Sequence, residues 1–133
     1  MGISVREICC NCKEEMEIRD HLFFGCSYAK CIWKQILQLC GLNRDVGSWL
    51  EELEWAIQRI KGKALISIVL RIAWKAFIYF VWRERNRRLH NDLSENPEKL
   101  LARIKEVVRI KLTSLTNIAA DDVNRNLFCS WGF

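Results

Sequence analysis

The strongest constraint on the fold is an apolar run at residues 64–82, which is long enough to form a helix that crosses a membrane. Arg71 and Lys75 interrupt the middle of the run, and each charge at the centre of a membrane helix costs roughly 2.5–3.5 kcal/mol. These two cations are aligned with Ser67 and Tyr79 at helical spacing, so they form a narrow polar stripe on an otherwise apolar helix. The pattern favours the central core helix of a helical bundle and predicts no membrane span.

Turn-forming residues are scarce in this chain. Its 133 residues include one proline and six glycines, so few turns are available and the helices must be long. Ser48 and Glu51 have the spacing of a capping box, and Asn96 followed by Pro97 is typical of a helix start. Gly41 falls where a glycine would end the first helix.

These signals predict an all-α fold, a small helical bundle of about four helices, in a single domain over residues 1–133. The predicted helices cover 27–40, 48–61, 63–90 and 97–119, after an irregular, zinc-knuckle-like N-terminal segment at 1–26 and before an apolar tail at 120–133. The tail is expected to dock on the bundle or on a partner.

The N-terminal segment contains four metal-ligating side chains at the spacing Cys-x2-Cys-x8-His-x4-Cys, namely Cys9, Cys12, His21 and Cys26. Three thiolates and one imidazole are the ligand set of a closed tetrahedral structural zinc site. Such a site leaves no position for a catalytic water, so zinc would stabilise the fold and catalyse nothing. Cys10 could replace Cys9 as the first zinc ligand. The alternative interpretation is a set of ordinary buried thiols beside a surface histidine.

The remaining cysteines, Cys31, Cys40 and Cys129, fall on the first predicted helix and in the tail, and we do not expect them to bind zinc. Seven cysteines are an odd number, and no secretory signal precedes them, so a disulfide framework is not expected. A metal site in a reducing compartment fits better. We therefore expect an intracellular protein of the nucleus or cytoplasm that is not secreted.

Positive charge is concentrated in the middle third of the chain. Residues 56–90 contain nine basic side chains and one acidic side chain, whereas residues 1–55 carry a net charge of −3. Much of the excess lies in one block around an aromatic residue, composed of Trp82, Arg83, Arg85, Arg87 and Arg88. This block could contact a nucleic-acid backbone or an acidic partner. Alternatively, the arginines complement the dipole at a helix C-terminus or pair with the acidic first third.

Two segments in the same order along the chain resemble one known family. The first is the Cys-x2-Cys pair followed by DHLFFGC at 20–26 and then Trp33, and the second is FVWRERNRRL at 80–89. Together they are similar to the zinc-binding C-terminal region of plant LINE-type, non-LTR retrotransposon reverse transcriptases. The resemblance implies a nucleic-acid-associated accessory module. No polymerase, endonuclease or RNase H segment is present in this sequence, so the resemblance implies none of those activities.

Two functional hypotheses follow, and neither is enzymatic, because no histidine or serine has sequence partners that suggest a catalytic triad. The first is a retrotransposon-derived zinc-binding helical module that binds RNA or DNA. The second is a domesticated stand-alone protein that acts through self-association or a dedicated protein partner, for example a regulator or one half of a selfish toxin–antidote pair. The chain has more apolar side chains than one small domain is expected to bury, which predicts a homo-oligomer with Trp74 and Ile78 at the interface.

Overall fold

The computed structural model describes residues 21–91, 95–115, 118 and 120–133. Over these residues the chain is entirely helical and contains no strand, which confirms the all-α prediction. The elements are a π-helical turn at His21–Gly25 and five α-helices. These are α1 (Ser27–Leu39), α2 (Trp49–Ile60), α3 (Leu65–Asn91), α4 (Pro97–Thr113) and α5 (Asp122–Trp131).

The helix ends follow local sequence chemistry. The Ser48 hydroxyl accepts the backbone N–H of Glu51, and the Glu51 carboxylate accepts that of Ser48, which completes the predicted capping box of α2. At the end of α1, Gly41 has a φ of +75°. The N–H of Gly41 donates to Gln38, and the next N–H donates to Leu37, which is the hydrogen-bond pattern of a Schellman motif.

Helix α3 lies at the centre of the bundle, because α1, α2, α4, α5 and the π-helical turn all contact it. By length and composition it is apolar enough to cross a membrane, yet half of its most apolar window is buried by these neighbours. This packing fits the predicted core helix. It also shows that one copy of the chain supplies cover for several faces of α3 at once.

An aromatic cluster occupies the end of the core next to the π-helical turn. Phe24 stacks on Phe77 with ring centroids 5.7 Å apart, and Trp33 lies edge-on to Trp74 at 5.3 Å. Trp49 lies 5.6 Å from Phe24 and joins α2 to the same cluster. Aromatic pairs at these distances add about 0.5–1.5 kcal/mol each beyond the burial of their area.

The buried carboxylate of Glu52 connects α1, α2 and the loop between them. It is completely inaccessible to solvent. It accepts the indole N–H of Trp33 at 3.1 Å, the guanidinium of Arg44 at 2.6 Å and the backbone N–H of Gly47 at 2.7 Å. Because each oxygen has a donor, this charge is compensated inside the protein.

The chain differs from the predicted four helices at its C-terminal end. Helix α4 ends at Thr113 instead of 119, and the predicted apolar tail contains helix α5. The Asp121 carboxylate accepts the N–H of Asn124 to begin α5, and Gly132, with a φ of +81°, ends it. Leu127 is buried, so the tail docks on the bundle.

Candidate functional site

A buried carboxylate at the C-terminal end of α3 organises part of the predicted basic block. The Glu84 side chain is 1% exposed, and its Oε1 accepts Arg88 Nε at 3.0 Å and the backbone N–H of Glu95 at 2.9 Å. Arg88 also donates to the carbonyl oxygen of Glu95 at 2.9 Å, and its guanidinium lies 4.5 Å from the ring centroid of Tyr28. Arg88 therefore connects α3, α1 and the segment before α4.

A second arginine of the block belongs to the same network. Arg87 lies 3.6 Å from Glu84 Oε2 and 3.3 Å from Glu95 Oε1. Arg103 of α4 donates to both carboxylate oxygens of Glu95, at 2.5 and 3.0 Å. The Arg103 hydrogen bond, supported by Arg87, lowers the pKa of Glu95 to about 2. Arg87 and Arg88 are thus paired with two carboxylates of the same chain, one of which Arg103 shares.

Two of the other members of the predicted block face solvent, and the third is half-buried. Trp82 is 47% exposed, and Arg83 is also exposed. The Arg85 guanidinium lies 4.9 Å from the Trp82 ring centroid and donates to the side-chain oxygen of Asn86 at 2.9 Å. The structure therefore divides the predicted block into an exposed part at Trp82 and Arg83, a half-buried Arg85 against the Trp82 ring, and a structural part at the remaining two arginines.

The exposed part continues towards the N-terminus of α3. Steps of three and four residues place Arg71, Lys75, Tyr79 and Trp82 on one helical face, with Arg83 beside it. We call these five residues the basic-aromatic stripe. Twelve residue steps correspond to a length of about 18 Å. The single acidic residue in the α3 sequence is the buried Glu84, so α3 presents no acidic side chain beside the stripe.

An open groove lies between the stripe and α4. Its volume is about 380 Å³. Its apolar lining comes from α3 and α4, and Lys111 of α4 adds a cation to those of the stripe; the apolar members are Ile72, Ala76, Phe80 and Val107. Arg71 is held at one end, where its guanidinium donates to the carbonyl oxygen of Ile60 at 2.7 Å. The groove thus combines an apolar lining with cationic side chains.

Sequence reasoning missed the continuity of this surface. It identified Arg71, Lys75 and Tyr79 as a narrow polar stripe and treated the block that begins at Trp82 as a separate feature. The steps of three and four residues that join Tyr79 to Trp82 and Arg83 are readable in the sequence. The groove is not, because it depends on how α4 packs along α3.

Two of the four predicted zinc ligands lie within the described part of the chain. His21 begins the π-helical turn and Cys26 follows it, both are buried, and the backbone N–H of Cys26 donates to the carbonyl of His21 at 2.5 Å. The other two predicted ligands, Cys9 and Cys12, lie outside the described residues. Among the residues that are described, no three histidine, cysteine or acidic side chains form a metal-binding group.

The remaining cysteines occupy separate places in the fold. Cys31 on α1 and Cys129 on α5 are exposed. Cys40, after α1, is buried, and burial raises the pKa of its thiol to about 12, although the Trp131 indole N–H beside it acts in the opposite direction. This indole nitrogen is buried, and among the described residues no acceptor lies in hydrogen-bonding geometry to it.

The two residues predicted at an oligomer interface are both partly buried within one chain. Trp74 packs in the aromatic cluster, 5.5 Å from Phe24 and 6.0 Å from Trp49 between ring centroids. Ile78 packs against the edge of the core. Their apolar area is therefore shared between the fold and the surface, and the homo-oligomer stays a prediction.

Comparison with protein-family models, curated proteins and solved structures finds no match to this chain. The interpretation of the site therefore depends on its own residues and their geometry.

Proposed function

We propose that this chain is a non-enzymatic, retrotransposon-derived helical module that binds nucleic acid through the basic-aromatic stripe of α3. The main support is the combination of exposed cations and exposed aromatic rings on a helix whose single acidic side chain is buried. The resemblance of the two sequence segments to the retrotransposon family points to the same class of ligand.

Electrostatics favours the exposed cations of the stripe over the whole arginine block. Phosphate binding requires cations whose charge is not already balanced by nearby carboxylates. Arg87 and Arg88 contact Glu84 and Glu95. Lys75 and Arg83 are exposed, so phosphates can approach them without breaking an internal ion pair of that network.

The proposal is tested by fluorescence anisotropy with labelled RNA and DNA strands at about 0.1 M salt. Counterion release then contributes roughly a fivefold affinity gain for each contacted phosphate of a single strand. A double variant, Lys75→Gln with Arg83→Gln, should therefore bind about 25-fold more weakly. The matched control is Lys30→Gln with Arg125→Gln, which removes the same charge from exposed positions on α1 and α5. Equal affinities of the two double variants would refute the proposed surface.

Zinc is a second part of the proposal. The donor set fits a structural site, and His21 and Cys26 lie next to each other in the fold at the edge of the aromatic core. Bound zinc would cross-link the N-terminal segment to this core. Cys9 and Cys12 would supply the other two ligands.

The alternative is a domesticated protein that acts through protein contacts. Exposed apolar side chains at Tyr79, Trp82 and Ile110 favour it, since aromatic and aliphatic anchors dominate protein interfaces. Binding to an apolar interface would depend little on salt, whereas phosphate binding must weaken steeply. Light scattering would detect self-association, which is one of the two kinds of protein contact in this alternative.

A further inference from the structure

Two aromatic rings of the stripe remain available for stacking. Tyr79 is 59% exposed and Trp82 is 47% exposed, and they are three positions apart along one helical face. Neighbours at this spacing are about 5–6 Å apart between Cβ atoms. Tyr79 is supported by an edge contact with Phe80 at 5.1 Å, and Trp82 by the Arg85 guanidinium. Each ring is therefore held from one side while much of its area faces solvent.

The groove beside these rings is lined by side chains that complement a nucleotide. Its apolar lining suits the face of a base, and Lys75 and Lys111 can bind a phosphate. Its volume of about 380 Å³ lies in the usual range for small-molecule sites. A base within a duplex is paired and stacked, so it cannot enter such a groove. An unpaired base can enter it.

Resting on the proposed function, we infer that the stripe binds single-stranded nucleic acid and seats an unpaired base in the groove between α3 and α4. The phosphates on either side of that base contact Lys75, Lys111 and Arg83. Sequence-tolerant stacking on Tyr79 and Trp82 holds the adjacent bases.

Helix packing disfavours a duplex at this surface. The major groove of B-DNA admits a single α-helix, whereas α4 packs along α3 and forms the far wall of the groove. The side of the stripe that lines the groove is therefore walled by α4, and a duplex bound there could not place a paired base in the groove.

The test compares three probes with the same number of phosphates: an oligothymidylate strand, an abasic strand of the same length, and a duplex of half that length. One stacked base contributes roughly 1–3 kcal/mol, so the oligothymidylate should bind about 5- to 150-fold more tightly than the abasic strand. Tyr79→Leu should reduce this ratio, whereas Tyr79→Phe should retain it because the ring remains. Tyr79 is exposed, so both variants should fold, which circular dichroism checks.

A variant that fills the groove tests whether the unpaired base binds there. Val107→Trp should lower the affinity for oligothymidylate towards that for the abasic strand, because only the stacking on Tyr79 and Trp82 remains, whereas Ile110→Trp, at an exposed α4 position outside the groove lining, should have no such effect. Equal binding of the oligothymidylate and abasic strands, preference for the duplex, or an unaffected Val107→Trp variant would overturn this inference alone. Absence of binding to every probe would overturn the proposed function as well.

Discussion

Arg88 and Arg83 lie five residues apart on α3 and have different roles, so the same substitution should lower stability at Arg88 and nucleic-acid affinity at Arg83. Arg88→Gln removes two charge-assisted hydrogen bonds, to Glu84 and to the carbonyl of Glu95, and the contact with the Tyr28 ring. It also leaves the Glu84 carboxylate, 1% exposed, without its closest cation. Arg83→Gln changes an exposed side chain of the stripe.

The size of the stability loss in Arg88→Gln follows from the burial of the Glu84–Arg88 ion pair. Removing one partner of a buried ion pair costs about 3–5 kcal/mol, and Arg87, which lies 3.6 Å from Glu84 Oε2, offsets part of that cost. We therefore expect the free energy of unfolding to fall by about 3 kcal/mol in Arg88→Gln. For a chain of this length this corresponds to a Tm lower by roughly 10 °C. Arg83→Gln should change the free energy of unfolding by less than about 0.5 kcal/mol.

Two assays on each variant separate the roles. Urea unfolding followed by tryptophan fluorescence gives stability, and anisotropy with an RNA strand gives affinity at a temperature where both variants are folded. Arg83→Gln should lose about fivefold in affinity at 0.1 M salt, and Arg88→Gln should lose little. The reasoning is refuted if Arg88→Gln is as stable as Arg83→Gln, or if the affinity loss is the larger at Arg88.

Three further predictions concern metal, acid and assembly. Protein purified without chelator should contain about one zinc per chain, and Cys26→Ser should lower both the zinc content and the Tm, because structural zinc contributes directly to folding. The folded-state pKa of Glu95 is lowered from 4.5 to about 2, so its contribution to stability is present above pH 4.5 and lost as the pH falls towards 2; Arg103→Gln should make this loss smaller. Light scattering should show a homo-oligomer, and polar substitutions at Trp74 or Ile78 should shift it towards monomer or aggregate.

Each of these predictions has a result that contradicts it. Zinc below about 0.2 per chain in wild-type protein would remove the metal site, with Cys31→Ser as the control that should leave the zinc content unchanged. For the acid prediction, thermal melts between pH 2 and 5 are compared in chelator so that zinc loss does not contribute. If the Tm of Arg103→Gln fell with pH in parallel with that of wild type, the pairing of Arg103 with Glu95 would not be the cause of the acid sensitivity. A monomer at tens of micromolar would end the oligomer hypothesis.

Local rules predicted most of the helices. The starts of α2 and α4 followed from Ser48 and Asn96, because capping chemistry involves only neighbouring residues. Helix α5 was missed although Asp121 and Gly132 have the same kinds of signal, because its apolar residues were interpreted only as a docking tail. The predicted extension of α4 failed because the apolar period continued beyond Leu112, the last buried position of that helix.

The candidate site was less predictable, because charge pairing depends on tertiary contacts. Sequence spacing placed four arginines in one block, but it could not show that Glu84 is buried or that Glu95 lies against the end of α3. Those two carboxylates, 11 residues apart in sequence, decide which arginines remain exposed. The division of the block therefore required the packing of α4 and its preceding segment against α3.

The most direct test of the proposed function is a salt titration of RNA binding by the wild-type chain. Contacts from Lys75, Arg83 and Lys111 to three phosphates predict a slope of about −2 for log K against log salt. The double variant Lys75→Gln with Arg83→Gln should flatten this slope towards about −0.7, because one contact remains. A wild-type slope near zero, or a slope that the double variant leaves unchanged, would contradict nucleic-acid binding by the basic-aromatic stripe.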